Sequence, residues 1–87
     1  MKIARTEVFK RDYLSLPPRV RKTANKQIVQ LLVDHMHPSL RIEGIAGKKG
    51  LFSVRVDKRY RISLFFEGTD CILLRRVLDH DDLYKTP

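Results

Sequence analysis

The chain has 87 residues, enough for one domain around one core and too few for two, so chemistry is confined to a shallow groove or an open sheet face. Hydrophobic residues are 43% and charged residues 32%, which excludes a disordered chain, and no apolar run approaches the roughly 18–20 residues of a membrane helix. Eighteen Lys and Arg against ten Asp and Glu leave a net charge of +8, a balance that favours a polyanionic partner.

That charge is unevenly spread. Residues 1–33 carry eight basic and two acidic residues (+6), and residues 34–46 sum to −1. Residues 47–61 carry six basic and one acidic (+5), residues 62–78 balance, and residues 79–87 sum to −2. Two basic blocks followed by an acidic tail point to a localised binding surface rather than to general solubility. Met1 to Lys10 contains no apolar run of the kind a secretory leader needs. Cys71 stands alone, which excludes an internal disulfide and a cysteine-based zinc site. A reducing cytoplasm is the expected compartment, and Cys71 is expected as a small core residue of a strand.

A short strand is predicted over Lys2–Glu7. Phe9, Tyr13 and Leu16 follow at i, i+4, i+7 and predict a short helix that ends before Pro17, because the residue preceding a proline avoids helical geometry. Pro18 suits the first turn of a second helix. Its apolar stripe is Val20, Ala24, Ile28, Leu31 and Leu32, and it is predicted to run to about Asp34–Met36. His35 and His37 would finish it, where a cation suits the helix dipole. After Pro38 the period becomes two: Phe52, Val54 and Val56 alternate with polar residues, as do Tyr60, Ile62, Leu64 and Phe66. Cys71–Leu78 is a third strand-like run. The expected fold class is therefore α+β: a short N-terminal strand, two helices, then an antiparallel β-meander with the helices packed on one sheet face and the other face free for a ligand.

The alternation fixes a register. Opposed residues of an antiparallel pair share a face, so the paired numbers must sum to an even value, and 116 gives the shortest turn. Val54 then faces Ile62, Phe52 faces Leu64, and Asp57-Lys58-Arg59 is a three-residue loop. On the opposite face Arg55 lies across from Arg61, and Ser53 from Ser63. Like charges in direct opposition destabilise a sheet, so folding alone does not select this pair. Ordinary surface bridges to Asp57, Glu67 or Asp79 are the structural alternative. A two-residue Gly68-Thr69 turn would pair Phe66 with Cys71 and put Arg76 opposite Arg61. A one-residue slip would present Arg75 instead. Guanidinium groups in a row across three strands suit phosphate oxygens. Beyond them, His80 is a candidate proton-transfer group, and Tyr84 returns to the same face if the tail makes one helical turn.

The run RVLDHDDLY, Arg76 to Tyr84, resembles the C-terminal signature of RelE/ParE-superfamily toxins, closest to the RelE, YafQ and HigB type of mRNA interferase. YLSLPPRVRK (Tyr13–Lys22), HPSLRIEGIAG (His37–Gly47) and SVRVDKRYRI (Ser53–Ile62) agree with that family in order and spacing. The resemblance implies a single RelE-like domain over residues 1–87, acting as the toxin of a type II toxin–antitoxin pair. It implies a ribosome-dependent endoribonuclease that cleaves mRNA by attack of the 2′-hydroxyl on the adjacent phosphate and so inhibits translation, with no metal and no cofactor. By position, Arg55 and Arg61 would neutralise the scissile phosphate, His80 would act as general acid or base, and Tyr84 would orient or stack on the substrate. Lys48, Lys49, Lys58, Arg59 and Arg76 are the further candidates for RNA binding. Ser53 stands where some members carry a lysine, and the role of Asp57 is open. The implied partners are a cognate acidic antitoxin, the ribosome and mRNA, with no membrane, and the toxin alone is expected as a monomer. The alternative within the superfamily is a ParE-like gyrase inhibitor without nuclease activity. Its longer helical hairpin and missing His-x-x-x-Tyr end fit this sequence less well. A zinc site at His35, His37 and His80 fails for want of four ligands.

Overall fold

The computed structural model describes all 87 residues. Strand β1 (Lys2–Arg5) leads into helix α1 (Glu7–Ser15) and helix α2 (Pro18–Val33). A 3-10 turn (Pro38–Leu40) precedes strands β2 (Glu43–Gly44), β3 (Leu51–Arg55), β4 (Tyr60–Glu67) and β5 (Cys71–Asp79), and helix α3 (His80–Lys85) closes the chain. No helix is long and apolar enough to cross a membrane.

Local chemistry sets these boundaries. The opening strand ends earlier than expected because Thr6 caps α1, its hydroxyl accepting the Phe9 N–H at 2.9 Å. Leu16 takes extended geometry before Pro17, and Pro18 opens α2. Helix α2 stops at Val33 because Asp34 is extended, so His35 and His37 lie beyond it rather than finishing it. His37 instead caps the 3-10 turn, its Nδ1 accepting the Ser39 N–H at 3.1 Å.

The sheet order is β1-β5-β4-β3-β2. The expected meander is present, extended by two strands at its edges: β1 joins β5 in parallel, and the two-residue β2 pairs antiparallel with β3. Helices α1 and α2 pack on one face. Phe9, Leu16, Val20, Ala24, Ile28 and Leu31 meet Val54, Val56, Ile62, Leu64, Ile72, Leu74 and Val77 in one core cluster. Leu32, assigned to the buried stripe by spacing, is exposed. Cys71 is only half-buried at the first position of β5, not a core residue. Buried Gln27 ties α2 to the sheet by donating to the Arg55 carbonyl at 2.8 Å and the Ser39 carbonyl at 3.2 Å.

The first hairpin has the expected register, with Phe52 opposite Leu64, Val54 opposite Ile62 and Arg55 opposite Arg61. The second does not. Glu67, not Phe66, pairs with Cys71 across a turn in which Gly68 has φ 63, a conformation that suits glycine. A bulge then shifts the ladder between Ser63 and Leu64, leaving Arg75 as the extra residue. Arg61 therefore faces Leu78, and Arg76 faces Ser63. The apolar character of both faces of Cys71–Leu74 left this register undetermined by sequence pattern.

The second sheet face is not fully free. Helix α3 lies on it with Leu83 completely buried, and Ser53 and Ser63 are buried on the same face. Six residues are too few to hold a helix alone. Burial of Leu83 contributes about 1.5–3 kcal/mol and the Asp79 cap about 1 kcal/mol, so packing dominates its attachment.

Candidate functional site

Four residues singled out from the sequence converge on one hollow of about 150 Å³ beside α3. Arg55 of β3, Arg61 of β4, and His80 and Tyr84 of α3 line it, together with Ser53, Arg41 and Glu43. The opposed register of β3 and β4 brings the two arginines together. One turn of α3 brings Tyr84 back to His80, with ring centroids 4.7 Å apart in an edge-on arrangement.

Each side chain is held by identifiable contacts. The Tyr84 and Ser53 hydroxyls are 3.0 Å apart, so the tyrosine is anchored to the sheet. His80 Nδ1 lies 3.2 Å from an Asp81 carboxylate oxygen. An ionised carboxylate only accepts, so Nδ1 donates and Nε2 is left to exchange a proton. The His80 backbone N–H donates to the Arg59 carbonyl at 2.6 Å, which fastens the start of α3 to the β3–β4 loop. Arg61 donates to the Tyr60 carbonyl at 3.0 Å and to the Asp57 carbonyl, so its guanidinium is oriented by backbone rather than neutralised.

Neither Arg55 nor Arg61 forms an ion pair, and neither does Arg41; the alternative of surface bridges to Asp57, Glu67 or Asp79 is not realised at either hairpin arginine. Asp57 has a structural part, its carboxylate accepting the Arg59 and Tyr60 N–H groups at 2.8 Å each and shaping the loop. Two candidate phosphate contacts are already engaged. Arg59 pairs with Asp79 at 2.6 Å. The hydrogen bond from Arg59, aided by the Asp81 N–H, holds the Asp79 carboxyl below its ordinary range. Arg76 makes a two-pronged contact with Asp12 of α1 at 3.0 and 3.1 Å, and that hydrogen bonding raises its pKa further. Lys58 and Lys49 are exposed away from the hollow, and Lys48 lines a different groove.

Arg41 and Glu43 were not found by sequence reading. They lie around a two-residue strand after a 3-10 turn, where no hydrophobic period is long enough to fix a face. The usable signal was pairing: Glu43 lies opposite Ser53. Arg41 is the only non-glycine residue with positive φ (φ 43, ψ 50). No three His, Cys, Asp or Glu side chains come together to hold a metal ion.

The fold has clear counterparts. The chain matches a chain of the RelB–RelE antitoxin–toxin complex from Methanococcus jannaschii with TM-score 0.77 and 26% identity, covering 97% of this chain and 99% of that one. The fold is that of the RelE/ParE toxin superfamily. A YoeB/ParE toxin from Agrobacterium tumefaciens matches with TM-score 0.77 at 19% identity, over 92% of this chain and 99% of that one. YafQ from E. coli matches with TM-score 0.72 at 14% identity, over 93% and 94%. At these identities the last two speak for the RelE-like fold alone. No protein-family model matches the chain, and no curated protein matches it in sequence.

Proposed function

We propose that this chain is the toxin of a type II toxin–antitoxin pair and an endoribonuclease that cuts mRNA on the ribosome. The observation that carries the reading is a hollow lined by three arginines free of ion pairs, beside a histidine and a single carboxylate. Cleavage by internal attack needs three things from a protein: neutralisation of the phosphate, a base for the 2′-hydroxyl and an acid for the leaving oxygen. Arg55 and Arg61 supply the first. Glu43 is the only carboxylate lining the hollow and accepts the 2′-hydroxyl proton. The 2′-oxygen bonds to phosphorus, the bond to the 5′-oxygen breaks, and His80 donates a proton to that oxygen. The products are a cyclic phosphate and a free 5′-hydroxyl. Tyr84, held by Ser53, orients the nucleotide.

The partner that this reading requires is an acidic antitoxin. Val29, Leu32 and Val33 leave an exposed apolar strip on the outer side of α2, a helix with four cations and no acid. An acidic amphipathic helix complements it. The test is primer extension on translating ribosomes with purified protein. His80→Gln is expected to lower cleavage by about 10²–10⁴ while ribosome binding persists. Full cleavage by His80→Gln removes the proton-transfer role. A wild-type chain that leaves mRNA intact but inhibits gyrase favours the ParE-like alternative.

A further inference from the structure

Helix α3 divides the second sheet face in two. Past its C-terminal end lies a larger groove of about 580 Å³, floored by Leu51 and Leu73 and rimmed by Lys48, Arg75, Arg76 and Lys85, with no acidic residue lining it. Arg76 is paired with Asp12, and the other three cations form no ion pair. The bulge builds this rim. In a regular ladder Arg75 and Arg76 would point to opposite faces; here both line the same groove. The Arg75 guanidinium lies over the Phe65 ring, 5.2 Å from its centroid, which orients it without neutralising it.

The groove lies beside the candidate site along β3, on the other side of α3. Ser53 lines the first hollow and Leu51 the second, two residues apart on one face of a strand, or about 6.6–6.8 Å. That is the reach of roughly one extended nucleotide. We infer that the groove is a second RNA subsite: Lys48, Arg75 and Lys85 hold backbone phosphates of the strand beyond the scissile bond, and the aliphatic floor takes the flat face of a base. The inference rests on the ribonuclease reading of the first hollow. It adds a reason for the substrate to be an extended single strand, since a base can reach the floor only when unpaired.

The experiment uses the full chain and 2′-O-methyl oligoribonucleotides of three and six nucleotides, which cannot be cut because the attacking hydroxyl is blocked. Binding is read by fluorescence anisotropy across a salt series. The hexamer is expected to bind the wild type about tenfold tighter than the trimer. Lys48→Gln, Arg75→Gln and Lys85→Gln combined should remove that advantage, leave trimer affinity unchanged, and reduce the salt slope by about 0.7 for each phosphate no longer neutralised. Lys85→Gln alone, which breaks no hydrogen bond, should remove part of it. A hexamer advantage that survives the triple substitution overturns the subsite. So does hexaglutamate binding that disappears in the triple variant while RNA length has no effect, because the groove is then a protein-docking surface. Trimer binding indifferent to Arg55→Ala and Arg61→Ala instead overturns the reading of the first hollow, and binding of neither oligonucleotide overturns both.

Discussion

Arg61 and Arg76 sit on neighbouring strands of one sheet face, yet their surroundings are opposite. Arg76 is clasped by both oxygens of Asp12, which also accepts the Val77 N–H, and donates to the Thr86 hydroxyl at 3.2 Å. Arg61 meets only backbone carbonyls and faces Arg55 across the ladder. The first joins α1, β5 and the chain end; the second is oriented, left positive, and held next to another positive group. An arginine with its carboxylate supplied from within is part of the scaffold. One held in place without a counter-charge is set for an anion from outside.

Substitutions on the two sides should separate accordingly. Arg61→Ala should reduce cleavage by about 10²–10³, as expected when one preorganised electrostatic donor is removed, with melting altered little. A comparable loss of stability would erase the distinction. Asp12→Ala should lower stability by about 1–3 kcal/mol, because it leaves Nε and Nη2 of Arg76 and the Val77 N–H without their partner. Its specific cleavage activity at room temperature should stay close to wild type, and a denaturant melt beside the ribosome assay reads both. The smallest effect belongs to Arg59 and Asp79, which anchor α3 from an exposed position. The Asp79 carboxyl is held low in the folded chain, so its contribution is present above the unfolded aspartate value and is lost as pH falls through the folded one. The stability gap between wild type and Asp79→Asn should therefore narrow on acidification below about pH 4. A gap independent of pH in that range would show that neither the ion pair nor the cap favours the ionised carboxyl.

The same contrast marks where the sequence was readable. Strict alternation on β3 and β4 plus a three-residue loop left one register, and so Arg55 and Arg61 could be paired from pattern alone. Arg76 could not be assigned to Asp12, because 64 residues separate them and the contact depends on how α1 docks on β5. The bulge at Arg75 was invisible, since Cys71–Leu74 is apolar on both faces and tolerates either register. His80 and Tyr84 were legible through their spacing of four, whereas the burial of Ser53 beneath Tyr84 depended on α3 closing over the sheet.

Arg41 carries a cost that selection for stability alone would not keep. Its left-handed backbone costs an L-residue about 1–2 kcal/mol, a penalty glycine escapes. Arg41→Gly should therefore stabilise the fold by about 0.5–1 kcal/mol after allowing for the greater freedom of glycine in the unfolded chain, while removing one of the three cations around the hollow. A laboratory population evolved only for heat resistance would drift towards that replacement and become less toxic as it did so. On the proposed function, thermal tolerance and harm to the host would then be set against each other at a single peptide unit.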